Sequence, residues 1–235
     1  MTWLAGHRQQ VVFLALLLAA GLATQWAYPR LNPQWIAYSR GESALARRDF
    51  DQAAQALARA VALGVRTPRT WLLLGQAHLA EGRLEPAREA FLELLRLRPG
   101  DGDAMQLLAG IDERLGQPRL ALEVLAEQER VTGLDFVQLI RLGDLHQRLD
   151  NPAGAERAWR RALDQRPNSR EVRLRLADLR AWNKDYVEAQ RLLEAVLATH
   201  PGDTQARLRL GRVLGWQGSS QAAIAQYRLA LGEKP

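Results

Sequence analysis

Small and large apolar residues recur along this chain at a fixed spacing of 34 residues. The pattern is clearest over residues 71–99, where the small residues Gly75 and Ala87 are followed by the large apolar residue Phe91. The first small position is held by Gly41, Gly75, Ala109, Gly143, Ala177 and Gly211. The large position is held by Leu57, Phe91, Leu125, Trp159, Leu193 and Tyr227. Six copies without an insertion or deletion indicate internal repeats of one supersecondary unit.

Each copy is typical of two helices that pack against each other. A glycine or alanine where two helices cross lets the backbones approach closely, and a large residue fills the space beside the crossing. A proline in the last position, such as Pro99, ends the second helix. The polar residues Asp101, Asn168 and Asp203 can then cap the helix that follows. One such pair cannot bury its apolar face alone, so we expect the copies to stack into a solenoid.

Residues 71–99 resemble the tetratricopeptide repeat. The resemblance rests on Trp71, Leu74, Gly75, Gly82, Ala87, Phe91 and Pro99 and covers residues 34–235. It implies an all-α fold, a right-handed superhelical solenoid of six helix pairs. In this chain we expect one N-terminal transmembrane helix before the solenoid, because residues 11–28 are mostly apolar and uncharged. The predicted repeats are residues 34–67, 68–101, 102–135, 136–169, 170–203 and 204–235. The third copy departs most from the pattern, with Pro118 and Gln128 at positions that are normally apolar.

The N-terminal region has a different character from the repeats. Residues 11–28 are mostly apolar and uncharged, and they follow a short tail at residues 1–10. Their length is near the lower limit for crossing a bilayer, and Trp3, Trp26 and Tyr28 stand where interfacial aromatic residues are common. We therefore predict a transmembrane helix at residues 11–28, with residues 29–33 as a connector to the repeats.

A cleaved signal peptide is the alternative for this segment. Its apolar region would be residues 11–20, and residues 21–23 would supply the small-residue cleavage site. The orientation is open as well. Arg8 in the short tail favours repeats outside the cytoplasm, in a bacterial periplasm, whereas a strict count of flanking arginines places them on the cytoplasmic face of the inner membrane.

Composition and motifs exclude several kinds of function. The formal net charge is +6, but no run of lysine or arginine suggests a nucleic-acid interface. Cysteine is absent, which removes disulfides, thiolate metal sites and thiol nucleophiles. No phosphate-binding loop and no zinc-protease motif occurs, and His78 and His146 occupy a position that normally packs. We therefore expect no enzyme activity, no cofactor and no metal.

The resemblance implies that the first helix of each repeat faces a groove that binds a partner. The predicted partner groove consists of Trp35, Tyr38, Leu72, Arg114, Asp144, Arg148, Asp178, Trp182, Arg212 and Trp216. Trp182 and Trp216 stand at one position of consecutive repeats, where they either pad the junction between repeats or serve as exposed aromatic contacts. The groove lacks the lysine and asparagine pair with which some members clamp a terminal carboxylate, which argues against binding of chaperone tails.

Two functions are consistent with these sequence features. The first is a membrane-anchored scaffold that binds partner proteins in an envelope assembly. The second is carbohydrate handling in the synthesis or export of an exopolysaccharide, because residues 181–190 and 215–227 also resemble repeats of export proteins such as cellulose synthase operon protein C.

The end of the sequence adds an expectation about contacts. Since the sequence stops at Pro235, we expect apolar residues of repeat 6 to remain uncovered and to contact a second copy, a partner subunit or further chain. The candidates, some of which would face the missing neighbour, are Leu210, Leu214, Ile224, Tyr227 and Leu231.

Overall fold

The computed structural model of the protein describes residues 17, 18 and 30–232. These residues form helices, turns and loops, with no strand among them, so the all-α prediction is confirmed. The helices found from residue 33 onward are α1 (Pro33–Ala46), α2 (Phe50–Ala62), α3 (Pro68–Ala80), α4 (Leu84–Leu97), α5 (Gly102–Arg114), α6 (Pro118–Thr132), α7 (Phe136–Arg148), α8 (Pro152–Gln165), α9 (Arg170–Trp182), α10 (Tyr186–Thr199), α11 (Thr204–Trp216) and α12 (Ser220–Ala230).

The chain divides into two compact units, residues 1–115 and 116–235. The first unit holds α1 to α5 and the second holds α6 to α12. We call the odd-numbered helices first helices and the even-numbered helices second helices. Within each unit, every helix packs on its neighbours in sequence. Each first helix from α3 onward therefore has the preceding second helix against one side.

The two helices of a pair contact each other through the small and the large position of the repeat. A Cβ atom on Gly75 would lie 2.9 Å from the ring of Phe91, and one on Gly41 would lie 2.5 Å from Leu57 Cγ. The large residues Leu57, Phe91 and Trp159 are completely buried. Because no ordinary side-chain contact is that short, only the missing Cβ lets these helices approach. The prediction of small residues at the helix crossings is confirmed.

Capping residues fix where several helices begin. Asp101 accepts a hydrogen bond from the Ala104 N–H at 3.0 Å, and Asp203 accepts one from Ala206 at the same distance. The capping prediction for Asn168 is wrong, because α9 begins at Arg170 and the residue directly before it is Ser169. The Ser169 hydroxyl accepts from the Val172 N–H at 3.3 Å. Only the residue directly before a helix places its side-chain oxygen over the first-turn amides.

A buried ion pair joins α4 to α5 in the first unit. Arg88 Nε donates to Asp112 Oδ1 at 2.6 Å, and the Asp112 side chain is completely buried. Two repeats later, α8 and α9 make the same contact with the charges exchanged, since Glu156 and Arg180 stand 68 residues after Arg88 and Asp112. Both pairs bridge a second helix and the first helix that follows it. The ion pair keeps its position in the repeat, but the acidic and the basic residue exchange helices.

The predicted membrane helix at residues 11–28 lies outside the described residues, apart from Leu17 and Leu18. Among the residues that are described, no helix combines the length and the apolar character needed to span a membrane. Of the five candidates in repeat 6, Leu210 and Leu214 are buried and are therefore not among those left uncovered. Ile224 is 51% exposed and Leu231 is 77% exposed.

Candidate functional site

All ten predicted groove residues lie on first helices. Trp35 and Tyr38 belong to α1, Leu72 to α3, Arg114 to α5, Asp144 and Arg148 to α7, Asp178 and Trp182 to α9, and Arg212 and Trp216 to α11. In the second unit they form two rows, one turn apart on the same helix faces. Asp144, Asp178 and Arg212 share one position of the repeat, and Arg148, Trp182 and Trp216 share the other.

Two groove residues of the first unit, Trp35 and Tyr38, contact each other. Trp35 and Tyr38 make an edge-to-face contact with ring centroids 5.9 Å apart. The Tyr38 hydroxyl donates to Glu42 Oε1 at 3.0 Å, and Arg69 donates to the same oxygen at 2.9 Å. Burial and, to a smaller extent, the Glu42 carboxylate raise the pKa of Tyr38 above its ordinary value. Tyr38 is therefore a donor held by Glu42, and Trp35, 46% exposed, is the freer ring.

Both groove carboxylates of the second unit are already paired within the protein. Asp144 accepts two hydrogen bonds from Arg175 of α9, at 2.7 and 3.0 Å. Asp178 accepts from Arg209 of α11, with both carboxylate oxygens 3.0 Å from Nε. The hydrogen bond to Asp144 is the main cause of the raised pKa of Arg175. Neither acid is left as a free negative charge for a ligand.

These pairs form a regular connection between consecutive first helices. Arg175 and Arg209 stand at one position of the repeat, each 31 residues after the acid it binds. Partly exposed ion pairs contribute only about 0–1 kcal/mol each, so their effect lies mainly in fixing how neighbouring first helices meet. The arginines were not among the predicted groove residues. The signal that could have found them is their recurrence at the repeat spacing, opposite a recurring acid.

Trp182 and Trp216 are the most exposed aromatic side chains of the described residues, with 84% and 56% of their surface accessible. Each is the last residue of a first helix, at the same position of consecutive repeats. Tyr186, the first residue of α10, lies between them in sequence, and its ring centroid is 5.9 Å from that of Trp216. We call Trp182, Tyr186 and Trp216 the aromatic ledge. Trp182 has the exposure expected of an aromatic contact, whereas Trp216 also contacts Tyr186 of the preceding repeat.

Two cations stand beside the aromatic ledge. Lys184 lies in the turn between Trp182 and Tyr186, where its backbone has a φ of 63°. Arg212 precedes Trp216 by one helical turn and is exposed. Neither side chain makes an ion pair within the described part of the chain. The nearby Asp178 and Asp185 are engaged with Arg209 and Arg180. The surface around the ledge therefore combines aromatic faces with uncompensated positive charge.

The described residues offer no cluster of three or more His, Asp or Glu side chains suited to a metal ion. Burial is the main reason why the pKa values of His78 and His146 lie below the ordinary histidine value. His146 Nδ1 lies 3.2 Å from the side-chain nitrogen of Asn151, the residue directly before α8. The two histidines are therefore packed at helix pairs, as their position in the repeat predicts. The exposed rings of the aromatic ledge and the two neighbouring cations, by contrast, suit the binding of another molecule.

Comparison with known proteins supports the same architecture. Sequence models described as tetratricopeptide repeat match residues 38–102, 136–179 and 183–235. Among solved structures, the MamA protein superimposes with a TM-score of 0.65 at 18% identity, covering 70% of this chain and 90% of that one. YrrB, described as a tetratricopeptide repeat protein with an unusual peptide-binding site, gives 0.63 at 18% identity, covering 77% and 93%.

A third similar structure is PilF of Pseudomonas aeruginosa, with a TM-score of 0.56 at 18% identity, covering 86% of this chain and 97% of that one. A comparison with curated protein sequences finds no match. At such identities the structural likeness shows the fold alone, while the three sequence matches lie on the repeats themselves. From the repeat spacing, the helix pairs and these matches, the chain belongs to the tetratricopeptide repeat family.

Proposed function

We propose that this protein is a non-enzymatic scaffold that binds a partner protein on the first helices of its second unit, with the aromatic ledge as the main contact. The observation that carries the proposal is the exposure of Trp182 and Trp216 at one position of consecutive repeats. A few residues carry most of the binding energy at protein interfaces, and tryptophan, tyrosine and arginine are enriched among them. All three types occur in this region, as Trp216, Tyr186 and Arg212.

The chemistry of the ledge defines the kind of partner segment. Asp144 and Asp178 are neutralised by arginines of the next repeat, whereas Lys184 and Arg212 keep their charge. An indole face contacts apolar side chains, and a nearby cation attracts a carboxylate. The segment that fits best is an extended or helical peptide with large apolar residues next to an acid. YrrB, a structure of the same fold, is described as having a peptide-binding site.

The cellular location of the scaffold is a second part of the proposal. We infer that residues 11–28 anchor the chain in a bacterial inner membrane, with the repeats on the periplasmic side and the partner in an envelope assembly. Support comes from the uncharged apolar run in the sequence and from PilW, a structurally similar protein described as a type IV pilus biogenesis factor. N-terminal sequencing of the mature protein checks the anchor. A chain that begins near Thr24 would contradict it.

The double variant Trp182→Ala, Trp216→Ala is expected to weaken partner binding by at least about tenfold, since truncation of each interface hot spot costs about 2 kcal/mol or more. Its helical content and unfolding midpoint should stay near those of the parent, because exposed side chains contribute little to stability. The measurement is the affinity of the full chain for the partner recovered from membranes, with circular dichroism as the folding check.

Val131→Ala is the matched control, because Val131 is an apolar residue of the same unit that is 41% exposed and lies on α6, a second helix outside the proposed binding surface. It should bind like the parent. Unchanged binding by the tryptophan variant, or a collapse of its helical structure, would show that the ledge is not the contact.

Carbohydrate binding is a second candidate, favoured by the same exposed rings. Flat indole faces at a regular repeat position also stack on sugar rings, and Tyr186 widens the face at Trp216. The tryptophan variants separate the two functions. Loss of retention on the secreted polysaccharide, with the protein partner still bound, would favour carbohydrate over protein.

A further inference from the structure

The first helix pair carries a groove that contains none of the ten predicted groove residues. The groove lies on α1 and α2 in the first unit and has a volume of about 840 Å³. Its charged lining residues are Arg40, Arg47 and Arg59, accompanied by serine and glutamine side chains and by no carboxylate. Arg47 donates to Gln52 at 2.8 Å, and Arg40 and Arg59 make no ion pair with any described residue. We call this surface the arginine groove.

The repeat shows what normally occupies this place. In the other five copies, the position of Arg40 is always a leucine that is at most 6% exposed. These residues are Leu74, Leu108, Leu142, Leu176 and Leu210. The position of Ser43 is likewise apolar and buried in the other copies. These residues are Ala77, Ile111, Leu145, Leu179 and Val213. Repeat 1 therefore replaces an apolar packing face with an exposed, positively charged one.

The apolar faces of the other copies are covered by a helix. The second helix of the preceding repeat packs on each first helix from α3 to α11. The surface of α1 that corresponds to those faces includes Arg40 and Ser43, which line the arginine groove. The groove follows the same repeat geometry, so its shape suits a helix. Its arginines, however, require a helix with acidic rather than apolar side chains. Guanidinium groups bind carboxylates with paired, directional hydrogen bonds.

We propose that the arginine groove binds a helix of a partner protein that presents carboxylates along one face. The groove belongs to the first unit, so the proposal does not depend on the aromatic ledge of the second. Charge excludes two occupants from this chain itself. Residues 1–33 contain no acid, and α12, the last second helix, contains Arg228 and no acid. If a second copy stacked end to end on this one, its α12 would lie against the three arginines of the groove. The charges of the two surfaces would not be complementary.

The test uses the purified full chain in detergent and a fluorescent helical peptide as the probe. The peptide is built from alanine and leucine with glutamate at every fourth position, so that the acids share one face. A peptide with lysine in place of glutamate and an acidic peptide with a central proline serve as probes of charge and of helicity. Binding is followed by fluorescence anisotropy at low and at moderate salt.

The acidic helical peptide is expected to bind saturably, and Arg40→Glu, Arg59→Glu should weaken its binding by at least about tenfold. The matched control is Arg66→Glu, Arg98→Glu, which makes the same charge change on exposed arginines of the same unit outside the groove. The control should retain the affinity of the parent. Added salt should weaken the parent's binding, since the contacts are charged and open to solvent.

Four results would overturn the proposal. The acidic helix fails to bind, or both charge-reversal pairs weaken its binding equally, and either result would make the groove an ordinary solvated surface. The proline-containing peptide binds as tightly as the helix, which would remove the requirement for a helix. Vesicles of anionic phospholipid or inorganic phosphate bind through Arg40 and Arg59 while the acidic helix does not, which would assign the groove to phosphate groups instead.

Discussion

Replacing Arg88 with methionine is expected to lower the free energy of unfolding by about 3–5 kcal/mol. The substitution keeps most of the aliphatic stem but removes the guanidinium that pairs with Asp112 at 2.6 Å. The Asp112 carboxylate is completely buried, and no other hydrogen-bond partner among the described residues reaches its second oxygen. A buried carboxylate without a counter-charge is among the most costly defects that one substitution can introduce. Urea denaturation of the full chain measures the loss.

Arg96→Met on the same helix is the matched control. Arg96 pairs with Glu93 at the surface, where the two side chains are 65% and 41% exposed, so the loss should stay below about 1 kcal/mol. Adding Asp112→Asn to the Arg88→Met variant removes the buried charge and should recover much of the stability. Equal midpoints for the two methionine variants, or no recovery in the double variant, would show that the pair does not hold α4 on α5.

Gly143→Ala is expected to destabilise the second unit by about 1–3 kcal/mol, although glycine to alanine usually strengthens a helix. The new methyl group would overlap the indole ring of Trp159. That ring is completely buried and donates a hydrogen bond to the Ile140 carbonyl at 3.3 Å, so it has little room to move. Thermal or urea unfolding of the variant reports the cost.

Gly215→Ala makes the identical change on another first helix of the same unit. Its effect on the free energy of unfolding should have the opposite sign. Nothing lies within 4 Å of the added Cβ at that position. The alanine gains the ordinary helix preference of about 0.5–1 kcal/mol. If both variants are stabilised, Gly143 is not at a tight crossing and the assignment of small positions to crossings fails.

The repeat spacing made the fold predictable from the sequence. The small position of Gly75 and the large position of Phe91 recur with a fixed separation in every copy, and the contact between these positions in the structure is the reason for that recurrence. Such a pattern survives because a larger residue at Gly75 would force the helices apart. Helix starts were predictable within one residue, as Asn168 and Ser169 show, because both residue types are able to cap.

The site was less predictable, since its chemistry depends on pairs of residues rather than on single positions. Asp144 and Asp178 were expected to serve a ligand, but the arginines that neutralise them come from the following repeat. The exposure of Trp182 depends on how its neighbours pack, which the periodicity of one chain does not define. Likewise, Arg40 is unremarkable as one arginine among many and becomes informative only against the five buried leucines of the other copies.

The contact between the aromatic ledge and a partner protein is tested most directly by cross-linking in cells. A photo-reactive amino acid replaces Trp182 in the full chain, and the control chain carries it at Val131, which is also exposed and lies on a second helix of the same unit. The expected result is one protein adduct from position 182, none from position 131, and loss of the adduct when Trp216→Ala is added. Equal labelling from both positions, or an adduct that Trp216→Ala leaves unchanged, would contradict the ledge as the site of partner binding.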